Sequence, residues 1–377
     1  MGMNTVFDAN NLYASFIKTS SETGWKESTQ RYKMNILREI MKQQNRWNAG
    51  RFELGKTHNF VINERGHTRY IKSHTIEDRV VLTSYVDYVL KPKILPRMIY
   101  DNGASQEGKG VSFTRRRFCV HLNRAFLRWG TRCYIRFFDF RKFFDNISHD
   151  IALDMMANWL EPDELDFAKI IFRHFESDLS YLTDSEFLKC RDGVYDSLQY
   201  PDKPGNRLKM LRKGVGIGSP VSQITGIFFP YPVDNLCKNR LSIPEYGRYA
   251  DDFYIIRQTK EELNRVEEQI ADTCRIIGLT LNDKKTRTFR LDDEYTFLKI
   301  VYTVREDGRI IARPCSETMR RERKRIGKME KKIASGEIPK DEVLRNYASW
   351  RGGYERFDAG SELMKMDRYA HEHLKGG

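Results

Sequence analysis

The stretch Gly247-Arg248-Tyr249-Ala250-Asp251-Asp252-Phe253-Tyr254-Ile255-Ile256 constrains this chain more than any other. Tyr246, Tyr249 and the run Phe253 to Ile256 have strand-forming character, so the stretch reads as strand, tight turn, strand. Two adjacent carboxylates sit where the chain turns back. Like charges side by side repel, and burial raises that cost, so a fold keeps such a pair mainly where cations neutralise it. A solvated Asp-Asp turn is the bland alternative.

Composition narrows the setting. The 377 residues suffice for two or three subdomains with sizeable cores, and 40% hydrophobic content excludes a disordered chain. The net charge of +13 suggests a polyanionic partner, nucleic acid before membrane. No apolar run is long enough to span a bilayer. The six cysteines (Cys119, Cys133, Cys190, Cys237, Cys274 and Cys315) form no C-x-x-C pair, which argues against a zinc ribbon or disulfide framework. The opening residues MGMNTVFDANN lack the basic-then-apolar pattern of a secretory leader, so a reducing cytoplasm is expected.

In chain order, residues 1 to about 58 read as helical, with Ile36, Leu37, Ile40 and Met41 at helical spacing. Phe60-Val61-Ile62 and Arg69-Tyr70-Ile71 read as two strands around a turn at Glu64-Arg65-Gly66. A helix opens at Glu77 and runs towards Pro92. The loop from Tyr100 to Gly110 closes on Gly-Lys-Gly, which suits close approach to a phosphate. Arg115, Arg116 and Arg117 follow on a helix, where a solvated basic face is the usual meaning of such a run. Residues 134–140, Tyr-Ile-Arg-Phe-Phe-Asp-Phe, form the apolar run of a buried central strand, and Asp139 near its end is costly unless used. A helix with Ile151, Met155 and Leu160 comes next, then an irregular segment from about 161 to 212 that reads as an insertion.

Gly214-Val215-Gly216-Ile217-Gly218-Ser219-Pro220 is a glycine-rich turn feeding an apolar helix. Beyond the Asp-Asp hairpin, Thr259-Lys260-Glu261-Glu262 reads as a capping box. The helix it opens places Leu263, Val266, Ile270, Cys274 and Ile277 on one face and stops at Gly278. Phe297 to Tyr302 reads as a strand. From Glu317 the chain turns helical and strongly basic, with Met319, Ile326, Met329 and Ile333 on its docking face. Trp350, Tyr354 and Phe357 mark a further packed segment.

This order fits a β-α-β-β-α-β layout in which the first strand lies beside the hairpin. Asp139 and Asp251 then converge at one sheet edge, the arrangement that two-metal phosphoryl transfer requires, and hard oxygen ligands argue for Mg²⁺.

The motifs carry a resemblance. Asp139-x₄-Phe144-Asp145, the glycine turn ending Ser222-Gln223, Tyr249-Ala250-Asp251-Asp252 and Leu281-Asn282-x-x-Lys285-Thr286 resemble successive palm motifs of reverse transcriptases. Arg69 and Arg79 resemble basic residues of the fingers. The resemblance covers roughly residues 60 to 355 and implies an α+β, right-hand polymerase fold. Residues 1–133 would form an N-terminal helical segment and fingers. Residues 134–312 would form a ferredoxin-like palm with the insertion at about 161–212, and residues 313–377 a basic helical thumb.

By position, the resemblance implies that Asp139, Asp251 and the Phe140 carbonyl ligate two Mg²⁺ ions. Asp252 would support the metals or position the primer end. Phe144 would lie under the sugar of the incoming nucleotide and exclude a 2′-hydroxyl, unless it is simply core. Arg69 and Arg79 would reach the nucleotide, Arg69 through its triphosphate. Gly218 and Gln223 would line the template base pair, and Lys285 would meet the phosphates or stand as an exposed lysine. Arg320, Arg321, Arg323, Lys324 and Lys328 would grip the duplex. The implied partners are template RNA, nascent DNA and deoxynucleoside triphosphates.

Two kinds of reverse transcriptase compete. Ile217-Gly218-Ser219-Pro220-Val221-Ser222-Gln223 is similar to the I-G-x-x-x-S-Q form of diversity-generating retroelement enzymes, as is Tyr347-Ala348-Ser349-Trp350-Arg351-Gly352. However, no proline precedes the turn, Phe297-Leu298-Lys299 replaces Phe-Leu-Gly, and the insertion is long. These departures resemble bacterial and prophage defence enzymes. That reading implies a non-coding RNA, an accessory protein, and homo- or hetero-oligomers. No RNase H or endonuclease domain is expected after the thumb. A protein-primed or untemplated DNA polymerase and a non-catalytic RNA-binding scaffold are the readings from other classes. The intact aspartates oppose the scaffold.

Overall fold

The computed structural model describes residues 2–374 other than Glu22 and Arg65. Four helices open the chain: α1 (Met3–Val6), α2 (Ala9–Ser20), α3 (Glu27–Met34) and α4 (Ile36–Asn48). Ile40 is buried, but Leu37 and Met41 point outwards. An antiparallel hairpin follows, β1 (His58–Glu64) and β2 (His67–Ser73). Of the turn expected at 64–66, Arg65 lies outside the described residues. Next comes α5 (Ile76–Tyr85), capped by the Thr75 hydroxyl, which accepts from the Asp78 amide at 3.3 Å. It continues through a wider turn into α6 (Lys91–Ile94).

The Tyr100–Gly110 loop is folded on itself. Lys109 Nζ donates to the carbonyls of Tyr100 and Asn102, each at 3.0 Å, so this lysine closes the loop instead of offering itself to a phosphate. The following helix, α7 (Val111–Trp129), corrects the reading of its three arginines. Arg117 pairs with Asp101 at 2.6 Å and Arg115 donates to the Leu298 carbonyl. Only Arg116 of the three is fully exposed.

The central sheet has the order β6 (Tyr246–Tyr249), β7 (Asp252–Arg257), β3 (Tyr134–Phe138), β8 (Arg287–Arg290), antiparallel throughout. The earlier strands β4 (Ser177–Asp178) and β5 (Met210–Leu211) pair with each other in the inserted segment. The first palm strand thus lies between the hairpin and the last strand, the ferredoxin-like arrangement expected from the element order. The helices α8 (His149–Ala157), α9 (Pro162–Phe175), α11 (Pro220–Phe228) and α13 (Lys260–Ile276) pack on it, with α10 (Asp184–Asp192) in the insertion and α12 (Tyr231–Asn235) after α11.

Three local readings change. The expected insertion divides: α9 buries Phe167, Ala168, Ile171, Phe172 and Phe175 in the main core, so only the segment from Ser177 to Leu211 forms its own small cluster, around Leu179, Cys190 and Tyr195. At α13, Thr259 caps the Glu262 amide at 3.2 Å, but Glu262 reaches back to the Gln258 amide, one residue beyond a capping box. The strand expected over 297–302 is a hairpin corner between β9 (Tyr295–Phe297) and β10 (Ile300–Val304), with Leu298 and Lys299 at φ 47° and 66°. Its backbone is held by Arg115 and by the Cys315 amide, which donates to the Lys299 carbonyl at 3.1 Å.

β10 also pairs with β11 (Ile310–Pro314). Three helices close the described chain: α14 (Ser316–Ala334), α15 (Lys340–Gly352) and α16 (Gly360–Leu374). They share a separate core of Met319, Ile326, Val343, Tyr347, Met366 and Ala370. All six cysteines are free thiols. Among the described residues, no helix is long and apolar enough to cross a membrane.

Candidate active site

The site lies where β3 and the β6–β7 hairpin end together. Phe138 pairs with Phe253, so Asp139 emerges beside Asp252, and Tyr249 pairs with Asp252 across a two-residue turn of Ala250 and Asp251. The three carboxylates expected to act together are therefore brought to one place. Asp139 is 3% exposed. Burial, followed by the charge of Asp139, raises the Asp251 carboxyl, and the cations of Lys285 and Arg69 act the other way. Desolvation in the cleft, then Asp251 and Asp139, push the Asp252 carboxyl up to about 7. Its side chain is open at the cleft surface, so solvent screening opposes that rise.

Asp139 is held on both oxygens. Lys285 Nζ lies 2.7 Å from Oδ2, and Asn282 Nδ2 donates to Oδ1 at 2.9 Å. The Asn282 amide also donates to the Asp139 carbonyl at 2.8 Å. Burial lowers the Lys285 ammonium pKa, but the hydrogen bond and charge of Asp139 outweigh it and leave the group raised. In the sequence Asn282 is one position of the Leu281–Thr286 motif. Its role as the clamp on Asp139 needed the Phe140–Leu281 bridge, which brings the two segments together.

Among the described residues, no three His, Cys, Asp or Glu side chains alone form a cage for an ion. The donors present nonetheless suit a hard divalent cation: crowded carboxylates, and the Phe140 carbonyl, which no described donor reaches. Mg²⁺ is commonly held by one or two carboxylates with substrate phosphates completing the shell, so an open half-site is what it needs.

The expected nucleotide contacts lie on several elements, and of them Lys285 and Arg69 act on the carboxylates. Arg69, on β2, is exposed and its charge acts on Asp251. Phe144 stands in a short turn after β3, half-buried. A Cβ at Gly226 would lie 2.9 Å from the Phe144 ring, so this glycine within α11 makes room for it. The sequence signal was a glycine inside an otherwise apolar helix, and it went unread. Gly218 has φ +114° against Ile71 and the Lys72 carbonyl, a conformation that requires glycine. Gln223 is exposed on α11 and lines a cavity of about 230 Å³ with Arg79, Lys18 and Pro220. The Ser222 hydroxyl donates to the Gly216 carbonyl at 2.6 Å, fixing the glycine turn to the helix it feeds.

On α14, Arg320, Arg323, Lys324 and Lys328 are exposed. Arg321 is paired with Glu317 at 2.6 Å, and Arg323 lies over the Tyr369 ring. A groove of about 640 Å³ between α14 and α16 is lined by Arg320, Arg323 and Lys365.

A ferredoxin-like palm with carboxylates at the ends of its paired strands, flanked by a fingers hairpin and a basic helical unit, defines the right-hand polymerase fold. The chain belongs to the reverse transcriptase family: the family described as reverse transcriptase (RNA-dependent DNA polymerase) matches residues 64–302, well over half its length. Among solved structures, apo telomerase from Candida tropicalis superimposes with a TM-score of 0.45 at 14% identity, covering 67% of this chain and 47% of that one. The chain thus spans about half the length of that protein. No curated protein sequence matches it.

Proposed function

We propose that the chain is an RNA-directed DNA polymerase whose reaction centre is Asp139 and Asp251. The observation that carries this reading is the convergence of those two carboxylates at one end of the paired strands β3 and β7, in a chain of the reverse transcriptase family. Two Mg²⁺ ions, when bound, would activate the primer 3′-hydroxyl and neutralise the triphosphate. Asp139, Asp251 and the Phe140 carbonyl would hold them, and Asp252 would support the metals or position the primer end. Lys285 is released from Asp139 and, with Arg69, meets the triphosphate. Phe144, backed by Gly226, sits under the sugar and excludes a 2′-hydroxyl. Gly218 and Gln223 line the template base pair, and Arg79 reaches the nucleotide. The exposed cations of α14 grip the duplex backbone, with Arg321 contributing less while Glu317 holds it.

The absence of a proline before the glycine turn, Phe297-Leu298-Lys299 in place of Phe-Leu-Gly and the inserted segment favour a bacterial or prophage enzyme copying a non-coding RNA in antiviral defence, with an accessory protein. The I-G-x-x-x-S-Q match at Ile217–Gln223 favours a diversity-generating retroelement as the second reading. The test is to sequence DNA made by the purified protein with Mg²⁺ and deoxynucleotides, beside Asp251→Asn. DNA complementary to one bound RNA, absent in the variant, is the expected result. A non-coding template supports defence, and a mutagenised copy of a neighbouring gene supports diversification. Product of equal yield without RNA would overturn templated synthesis.

A further inference from the structure

Arg248 stands three residues before Asp251 and is fully buried. Its Nε donates to Asp234 Oδ1 at 2.8 Å and its Nη2 to Asp234 Oδ2 at 2.6 Å. Nη2 also donates to the Ile227 carbonyl at 2.8 Å, and Nη1 donates to the Ala250 carbonyl at 3.0 Å. Asp234 is equally buried and accepts from the Tyr246 hydroxyl at 2.5 Å. The main chain of Arg248 is fixed as well: its amide donates to the Asp101 carbonyl and its carbonyl accepts from the Gly103 amide, both at 3.0 Å.

The residue this cluster grips is under strain. Ala250 has φ +56°, a left-handed conformation that a non-glycine residue adopts at a cost of about 1–2 kcal/mol. It is also the residue immediately before Asp251. A turn left to relax would swing Asp251 away from Asp139. The Arg248 fork opposes this by holding the Ala250 carbonyl. Through Asp234 on α12 and Ile227 on α11, it ties the turn to the helix that carries Gln223 and Gly226.

We infer that Arg248 and Asp234 are positioning residues: their buried pair holds the Ala250 carbonyl and so fixes Asp251 opposite Asp139. This rests on the polymerase reading of the site. Neither residue touches substrate. A bidentate, planar donor is needed, because one group must satisfy both carboxylate oxygens and still reach two main-chain carbonyls.

The test is the triple variant Asp234→Leu, Tyr246→Phe, Arg248→Met, which removes the pair without leaving a buried charge or an orphan hydroxyl. Apolar replacement of such a pair commonly preserves stability. Single-nucleotide incorporation on a defined RNA template and DNA primer is expected to lose about 10- to 100-fold in kcat. KM for the nucleotide and Kd for template–primer stay within about twofold. Mn²⁺ affinity, read by calorimetry without nucleotide, weakens about tenfold. Adding Ala250→Gly recovers most of the lost rate, because glycine holds positive φ unaided. Wild-type kcat in the triple variant, or a loss that Ala250→Gly leaves untouched, overturns the inference. If the triple variant does not fold, Arg248→Lys asks the same question. It keeps the charge but cannot serve Asp234 and Ala250 together, so kcat at wild-type level there overturns it too. The two failures are separable: no extension by the wild type strikes the polymerase reading, whereas extension unaffected by these changes strikes only the positioning role.

Discussion

Two corners of the palm are built alike and held differently. The β6–β7 turn puts Ala250 in a left-handed conformation, and the β9–β10 turn does the same to Leu298 and Lys299. None of the three is glycine, and in each turn an arginine donates to a carbonyl of a strained residue, Arg248 to Ala250 and Arg115 to Leu298. The supports then diverge. Arg248 is locked by the carboxylate of Asp234 and buried completely. Among the described residues Arg115 has no carboxylate partner; its Nε is unsatisfied and its guanidinium lies over the Phe357 ring, with burial lowering its pKa. Asp251, the aspartate proposed to hold metal, directly follows the strained residue of the rigid corner. The corner beside the cavity lined by Asp252, Phe297 and Leu298 is held more lightly.

Experiments can sharpen or break this contrast. The largest effect is expected at the rigid corner itself: Asp251→Asn should lower the incorporation rate on the order of 10⁴-fold, whereas Lys299→Ala should change it by less than about tenfold. Rapid-quench kinetics on one template–primer reads both, and equal losses would erase the distinction. Stability comes next. Arg248→Ala strands a buried Asp234 and should cost about 3–5 kcal/mol. Arg115→Ala, losing one carbonyl hydrogen bond and a ring contact, should cost about 1–2 kcal/mol. Urea unfolding compares them, and a reversed order would refute the contrast between the rigid and the lightly held corner.

Acid separates the corners from another support. Arginine stays charged throughout the acid range, so acid sensitivity is expected from other groups. Buried His149 donates from Nε2 to the Gly214 carbonyl at 2.7 Å, so Nε2 carries the proton. Burial lowers its pKa to about 4. A folded-state value below the unfolded one contributes stability above about pH 6.5 that is lost as pH falls towards 4, about 3 kcal/mol at most. His149→Gln should flatten the fall in urea midpoint between pH 7 and 5, and an unchanged slope would count against this origin. The smallest effect is at the lightly held corner: Lys299→Gly should stabilise by about 0.5–1 kcal/mol, since glycine meets positive φ without strain.

Much of the palm was legible because its signals are local. The apolar run at Tyr134–Phe140 and the alternation of strand and turn around Asp251 placed β3 and the hairpin, and element order then gave the sheet. Thr259 and Gly278 bounded α13 through cap chemistry. What stayed hidden was non-local or contrary to local preference. Leu298-Lys299 carries no Gly or Asn signal for a turn, and tertiary hydrogen bonds from Arg115 and the Cys315 amide add to the hairpin pairing that closes it. The three-arginine run suggested a solvated face, but Asp101 and the Leu298 carbonyl draw two of them inwards. Asp234 and Arg248 gave no hint of being a pair, and Gly226 had meaning only once Phe144 was seen against it.

The central claim is that Asp139 and Asp251 together carry templated DNA synthesis, and the most direct measurement is single-nucleotide incorporation opposite each of the four RNA template bases, with Mg²⁺ present and then chelated. Only the complementary deoxynucleotide is expected to be added, chelation to stop the reaction, and Asp139→Asn and Asp251→Asn each to abolish it while template–primer binding persists. Incorporation that ignores the template base, or that survives loss of either aspartate, would contradict that claim.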